Sequence, residues 1–158
     1  MVKLYKKSEE NIYYWETWEK DKITGIVHWG TVGETGKKKE IKSKIFNDFK
    51  RIIRKEIDVK LLEGYNQIDD DEHVTLLIEY NIDGMGTSED MEKRHRLENK
   101  MDELLGWTGL GHCDGGSIGS GTMEVSCIVI DFEIAKKVIV KYLKETEFAN
   151  YTKIFAYE

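Results

Sequence analysis

A chain of 158 residues is long enough for one compact core or two small ones. A charged fraction of 34%, a hydrophobic fraction of 40% and a net charge of −6 fit a soluble globular protein, and no apolar run approaches the roughly 18 residues that cross a bilayer. Met1 to Asn11 is too polar for a secretory signal, so a cytoplasmic protein without membrane association is expected.

Charge is unevenly spread: residues 1–70 carry 15 Lys+Arg against 13 Asp+Glu, whereas residues 71–158 carry 9 against 17, giving net charges of +2 and −8. The first half opens in strand idiom, with Ile12, Tyr14 and Trp18 alternating with Tyr13, Trp15 and Thr17. Lys20-Asp21-Lys22 turns this strand into a second one over Ile26 to Val32. Gly33-Glu34-Thr35-Gly36 supplies the glycines of a second hairpin into Lys37 to Lys42. Ser43 is placed to cap a helix on which Ile45, Phe49, Ile52, Ile53 and Ile57 fall on one face, and that face must lie on the sheet. From Lys37 to Lys60 ten basic residues stand against four acidic ones; such a run is either a solvated face or an anion-facing patch.

Asn66 to His73 is a polar, acidic break between two apolar patterns. With no proline in the chain and no Gly/Ser tract here, it predicts a tight connection between domains 1–68 and 73–158. The second half alternates strand, helix, strand, strand, helix, strand. Val74 to Ile82 is a strand. Ser88, Glu89 and Asp90 open a helix with Leu97, Met101, Leu104 and Leu105 in a stripe, and Gly106 is placed to end it. Trp107 to Cys113 and Met123 to Asp131 flank a glycine-rich hairpin, Phe132 to Glu145 is a second helix with Ala135, Val138, Ile139 and Tyr142 inward, and Tyr151 to Tyr157 closes the sheet. A βαββαβ order predicts a ferredoxin-like sandwich, with both helices on one face of an antiparallel sheet.

The hairpin Asp114-Gly115-Gly116-Ser117-Ile118-Gly119-Ser120-Gly121 invites a phosphate, since glycine lets a backbone approach one closely. No Lys or Arg occurs between Met101 and Ala135, however, and the segment joins two strands. A bent, bulged hairpin is the structural alternative. His112 and Cys113 point to opposite faces of a strand and cannot share a metal ion, so no metal, cofactor or catalytic group is expected there. Cys113 and Cys127 suit a reducing compartment as free thiols better than a disulfide framework, although one hairpin would bring them close. His28 is expected as a half-buried sheet residue, with a partner contact as the alternative. Tyr13, Tyr14, Trp15, Trp18 and Trp29 read as core first and nucleobase platform second.

The run His28-Trp29-Gly30-Thr31-Val32-Gly33-Glu34-Thr35-Gly36 resembles the centre of the WGR domain, whose signature is Trp-Gly-Arg followed by Val-Gly and a further glycine. Asn11 to Glu16 looks like that family's aromatic strand, and Lys60-Leu61-Leu62-Glu63-Gly64-Tyr65 like its closing segment, so the resemblance spans about residues 2–68. Thr31 stands where the motif has arginine. WGR domains occur in DNA-dependent poly(ADP-ribose) polymerases and many bacterial proteins, and in the eukaryotic members the module meets DNA. The resemblance implies a β-rich module that meets nucleic acid, with Trp29 and Gly30 shaping the turn and Thr31 at the position of the motif's arginine, and the basic run adds expected phosphate contacts at Lys37, Lys38, Lys39, Lys42, Lys50, Arg51 and Arg54. The glycine-rich hairpin is similar to a segment of uncharacterised bacterial ferredoxin-like domains. The expected fold class is α+β, and the expected role is that of a non-catalytic binding or adaptor protein. Two alternatives stand beside it: an inhibitor or immunity-type factor whose acidic second half binds a basic protein, and an enzyme centred on the hairpin with Cys113 or Asp114.

Overall fold

A computed structural model describes residues 1–157. The chain divides into two compact units, Met1–Asp69 and Asp70–Glu158, each an antiparallel four-stranded sheet with helix, so that the protein is α+β.

In the first unit β1 (Val2–Lys7), β2 (Ile12–Asp21), β3 (Thr24–Thr31) and β4 (Lys37–Lys42) form a meander in sequence order. α1 (Phe49–Leu62) follows. Its packed stripe is Phe49, Ile53 and Ile57, spaced by four residues, and it rests on Leu4, Trp15 and Val27 of three strands. Gly25 makes the close approach possible, because a β-carbon there would come within 2.4 Å of the Ile53 side chain and 2.7 Å of the Phe49 ring.

The helix begins later than the apolar spacing predicts. Lys44 and Asn47 exchange backbone hydrogen bonds in a tight turn, Asp48 caps the helix by accepting from the Lys50 amide, and Ser43 Oγ accepts from the Phe49 amide at 3.0 Å. Ser43 therefore serves the helix start from outside it. Ile45 is 93% exposed, contrary to its expected place on the buried stripe. Ile52, also expected inward, is half-buried and lines a depression with Lys55 and Val59, since adjacent helical residues lie about 100° apart.

The second unit opens on a single 3₁₀ turn, Asp70–Glu72, and continues through β5 (Val74–Asn81), α2 (Ser88–Trp107), β6 (Gly111–Gly119), β7 (Thr122–Val129), α3 (Phe132–Leu143) and β8 (Lys153–Tyr157). The spatial order is β6-β7-β5-β8, with every neighbouring pair antiparallel. Leu76, Ile78 and Tyr80 of β5 and Met123, Val125, Cys127 and Val129 of β7 are buried at every second position, and Leu97, Met101, Leu105, Ala135, Ile139 and Leu143 are the buried residues of α2 and α3. Thr87 and Asp90 cap α2 reciprocally. Gly106 does not end that helix: it runs on to Trp107, and Gly109, at φ +66°, closes it as Gly109 N–H bonds Gly106 O and Leu110 N–H bonds Leu105 O.

The glycine-rich segment is mostly strand. β6 extends to Gly119, a bulge lies between Cys113 and Gly116, and only Ser120-Gly121, both at positive φ, form the two-residue turn.

Candidate nucleic-acid interface in the first unit

Side chains alternate across a strand, so register decides which residues of the first sheet share a face. On the α1 side, Lys6, Tyr13 and Thr31 form one row across the strands, and Leu4, Trp15, Trp29 and Lys37 the next. α1 covers the row further along, and beyond its last turn Tyr65 is packed against the core edge. That segment is tied to β1 by paired hydrogen bonds of 2.8 Å between the Tyr5 and Asn66 backbones. The result is a groove of about 330 Å³ lined by Tyr13, Trp29, Gly30, Thr31, Glu34, Gly36, Lys37 and Tyr65. Ammonium groups attend its aromatic rings: Lys60 Nζ is 5.2 Å and Lys6 Nζ 5.9 Å from the centre of Tyr65, and Lys39 Nζ is 5.9 Å from that of Trp29.

The turn that forms one wall rests on a buried polar chain that the amino-acid pattern did not disclose. Tyr14, Glu16 and His28 share the opposite face, with Glu16 directly across from His28 and Gly30 across from Tyr14. Lys3 Nζ lies 3.3 Å from Glu16 Oε2, Glu16 Oε1 lies 2.7 Å from His28 Nδ1, and His28 Nε2 lies 3.1 Å from the Tyr14 hydroxyl. An ionised carboxylate only accepts, so Nδ1–H donates to Glu16, and in the neutral imidazole Nε2 is left to accept from the Tyr14 O–H. Burial, with the nearby Glu16 charge adding to it, raises the Tyr14 phenol above its ordinary value, so the hydroxyl keeps its proton. His28 is 1% exposed, more buried than its expected half-buried state.

Gly36 sits on this chain. A β-carbon at residue 36 would fall 1.9 Å from the Tyr14 oxygen, 2.5 Å from His28 Nε2 and 2.8 Å from Trp29 O. Glycine at residue 36 thus answers to a steric demand: the turn closes against a phenol and an imidazole.

The structure scatters the predicted basic residues. Trp29, Gly30, Thr31 and Lys37 meet at the groove. On β4, Lys37 and Lys39 point with α1, whereas Lys38 and Lys42 fall on the other face. Lys39 is engaged by Glu56 at 2.8 Å, Lys50 by Glu19 at 2.9 Å, and Lys42 stands 4.0 Å from Glu40. Lys50 and Arg54 line a separate depression with Val2, Thr17 and Ile57. Arg51 and Arg54 are exposed on α1 and carry no acidic partner among the described residues. The run from Lys37 to Lys60 is therefore two clusters plus a set of surface ion pairs, each pair worth at most about 1 kcal/mol.

In the second unit, Arg94 reaches the glycine-rich strand from α2. Its Nη1 donates to Gly116 O at 2.6 Å and lies 3.3 Å from Glu98 Oε1, so this cation is already engaged by the backbone and a carboxylate. Among the described residues no three His, Cys, Asp or Glu side chains are grouped to hold a metal ion, and no helix is long and apolar enough to cross a membrane.

Comparison with known proteins found no matching family model, no matching curated protein and no matching solved structure.

Proposed function

We propose that the first unit is a WGR-like module that binds nucleic acid through the Trp29–Lys37 groove, joined to a ferredoxin-like second unit in a non-catalytic adaptor acting in the cytoplasm. The observation that carries this reading is the groove itself: half-buried Tyr13, Trp29 and Tyr65 beside exposed Lys37, with Lys6, Lys39 and Lys60 over the rings. Bases offer π-faces to such rings, stacking being worth roughly 1–3 kcal/mol per base, while lysines meet the phosphates. Thr31 lies in the same groove, so the motif's arginine would stand among these groups. The sandwich assignment for the second unit is supported by its element order and by the strand order β6-β7-β5-β8.

Titration of the full chain against labelled single-stranded and duplex oligonucleotides at several salt concentrations tests the proposal. Binding should lie near ~10⁻⁴ to 10⁻⁶ M at physiological salt and weaken steeply as salt rises. The net −8 of residues 71–158 opposes phosphate within a Debye length of about 8–10 Å. Thr31→Arg should tighten binding, and Trp29→Ala should weaken it about tenfold or more through the lost stack. No salt-sensitive binding even at low ionic strength would remove the proposal.

That same acidity favours a second reading, an inhibitor or immunity-type factor holding a basic protein. A pull-down from the native host with and without nuclease separates the two: nuclease-resistant recovery of a basic protein supports the second, and nuclease-sensitive recovery the first.

A further inference from the structure

β6 is an outer strand of the second sheet and β7 is its neighbour. Cys113 and Cys127 stand directly opposite each other in that ladder, at the edge of the bulge. The Cys113 amide turns away from β7 and donates to Asp102 Oδ1 at 3.1 Å. The pair therefore occupies a non-hydrogen-bonded position, where antiparallel Cα atoms approach to about 4.5 Å and side chains lie closest, within the roughly 4.4–6.8 Å that a disulfide spans. Both cysteines are free thiols, and as directly opposed residues their side chains lie on the same face of the ladder. Cys113 Sγ also lies 3.4 Å from Ser126 O, over the backbone of the facing strand.

We propose that Cys113 is an oxidation site for a small neutral peroxide and that Cys127 is its resolving thiol, the two closing into a cross-strand disulfide between β6 and β7.

The two thiols differ in the way such a pair requires. Cys113 is half-buried and Cys127 fully buried, so an oxidant meets Cys113 first. A side-chain hydrogen bond with Cys127, together with a backbone one at Gly115, lowers the Cys113 thiol below its ordinary range against the opposing effects of burial and the Glu98 and Asp102 charges. The same hydrogen bond, then burial, raises Cys127. Glu98 is paired with Arg94, but Asp102 accepts from the Cys113 amide, and its negative charge beside the thiol disfavours an anionic disulfide oxidant and leaves an uncharged peroxide as the fitting one.

The Cys113 thiolate attacks one peroxide oxygen. The O–O bond breaks, hydroxide leaves and takes up the proton that Cys113 gave up on ionising to form the first water, and Cys113 becomes a sulfenic acid. The Cys127 sulfur then displaces hydroxide from the sulfenic sulfur, and its proton leaves with that hydroxide as water. Two thiols are oxidised and one peroxide is reduced to two waters.

The test treats the folded full-length chain with a few equivalents of hydrogen peroxide and follows titratable thiols, intact mass and dimedone labelling. Titratable thiols should fall from two to none. The monomer should lose the mass of two hydrogens, reversibly with dithiothreitol, and peptide mapping should link Cys113 to Cys127. In Cys127→Ala, Cys113 should accumulate as a dimedone-reactive sulfenic acid, whereas in Cys113→Ala, Cys127 should survive the same treatment. If either variant fails to fold, the wild-type mapping and the relative alkylation rates of the two thiols decide alone. Persistence of both thiols in the treated wild type, intermolecular crosslinking in place of the internal link, or faster alkylation of Cys127 than of Cys113 would overturn the proposal.

Discussion

Each half builds a four-stranded antiparallel sheet, but the halves load it differently. The second unit fills one face with strictly alternating apolar side chains from β5 and β7, together with helices of 20 and 12 residues. The first has a single 14-residue helix, and its β2 is buried at four successive positions, Tyr14 to Thr17, two of them polar. One face of β2 carries Trp15 in the apolar core, while the other carries Glu16 bonded to His28. Buried polar groups demand full satisfaction and fix geometry more narrowly than apolar packing does. That difference places a preorganised turn, with a groove beside it, in the first unit.

The contrast can be broken hardest at the helix. Phe49→Ala removes the buried ring at the start of the one helix of the first unit and should cost about 3–5 kcal/mol. Calorimetry should show one transition collapse while the second unit's persists, and Met101→Ala should do the converse at about 2–5 kcal/mol. Gly36→Ala comes next. Its methyl group would collide with Tyr14 and His28, so the turn must open, at roughly 1–3 kcal/mol by thermal melting, and oligonucleotide affinity should fall with it.

The smallest effect belongs to the α2 cap. Backbone and side-chain hydrogen bonds from Thr87 lower the Asp90 carboxyl below its usual range. A depressed carboxyl stabilises the fold above its unfolded pKa, and that contribution is lost as pH falls through the lowered folded value. Acid titration of Asp90→Asn should therefore show a smaller loss of stability on acidification than the wild type. An equal loss would mean that the cap does not depend on the charge.

Period and turn chemistry carried most of the strand and helix placement, because both reflect local covalent geometry. Helix starts were less legible. Ile45 falls in helical phase with Phe49, yet the chain turns at Lys44–Asn47 and is capped by Asp48, and phase alone cannot separate a capped start from an earlier one. The groove was half legible. Trp29, Gly30, Thr31 and Lys37 are near neighbours in sequence, but Tyr13 and Tyr65 join them only through register and the Tyr5–Asn66 pairing. The Tyr14–His28–Glu16 chain needed that register too, since a one-residue slip would send Glu16 and His28 to opposite faces. The basic run misled for a related reason: contiguous lysines on an edge strand alternate between faces, and contiguity in sequence is not a patch in space.

In the proposed module the groove, and not the charge run, meets nucleic acid. Paired charge reversals measure this directly, Lys37→Glu at the groove and Lys50→Glu at the far depression, in the same oligonucleotide titration at low and physiological salt. Both lie in the basic run and change net charge equally, so any long-range effect cancels between them. A loss for Lys37→Glu of about tenfold or more beyond that for Lys50→Glu, with a salt slope lower by about one phosphate contact, is the expected result. Equal losses would show that binding follows charge alone and would contradict the groove.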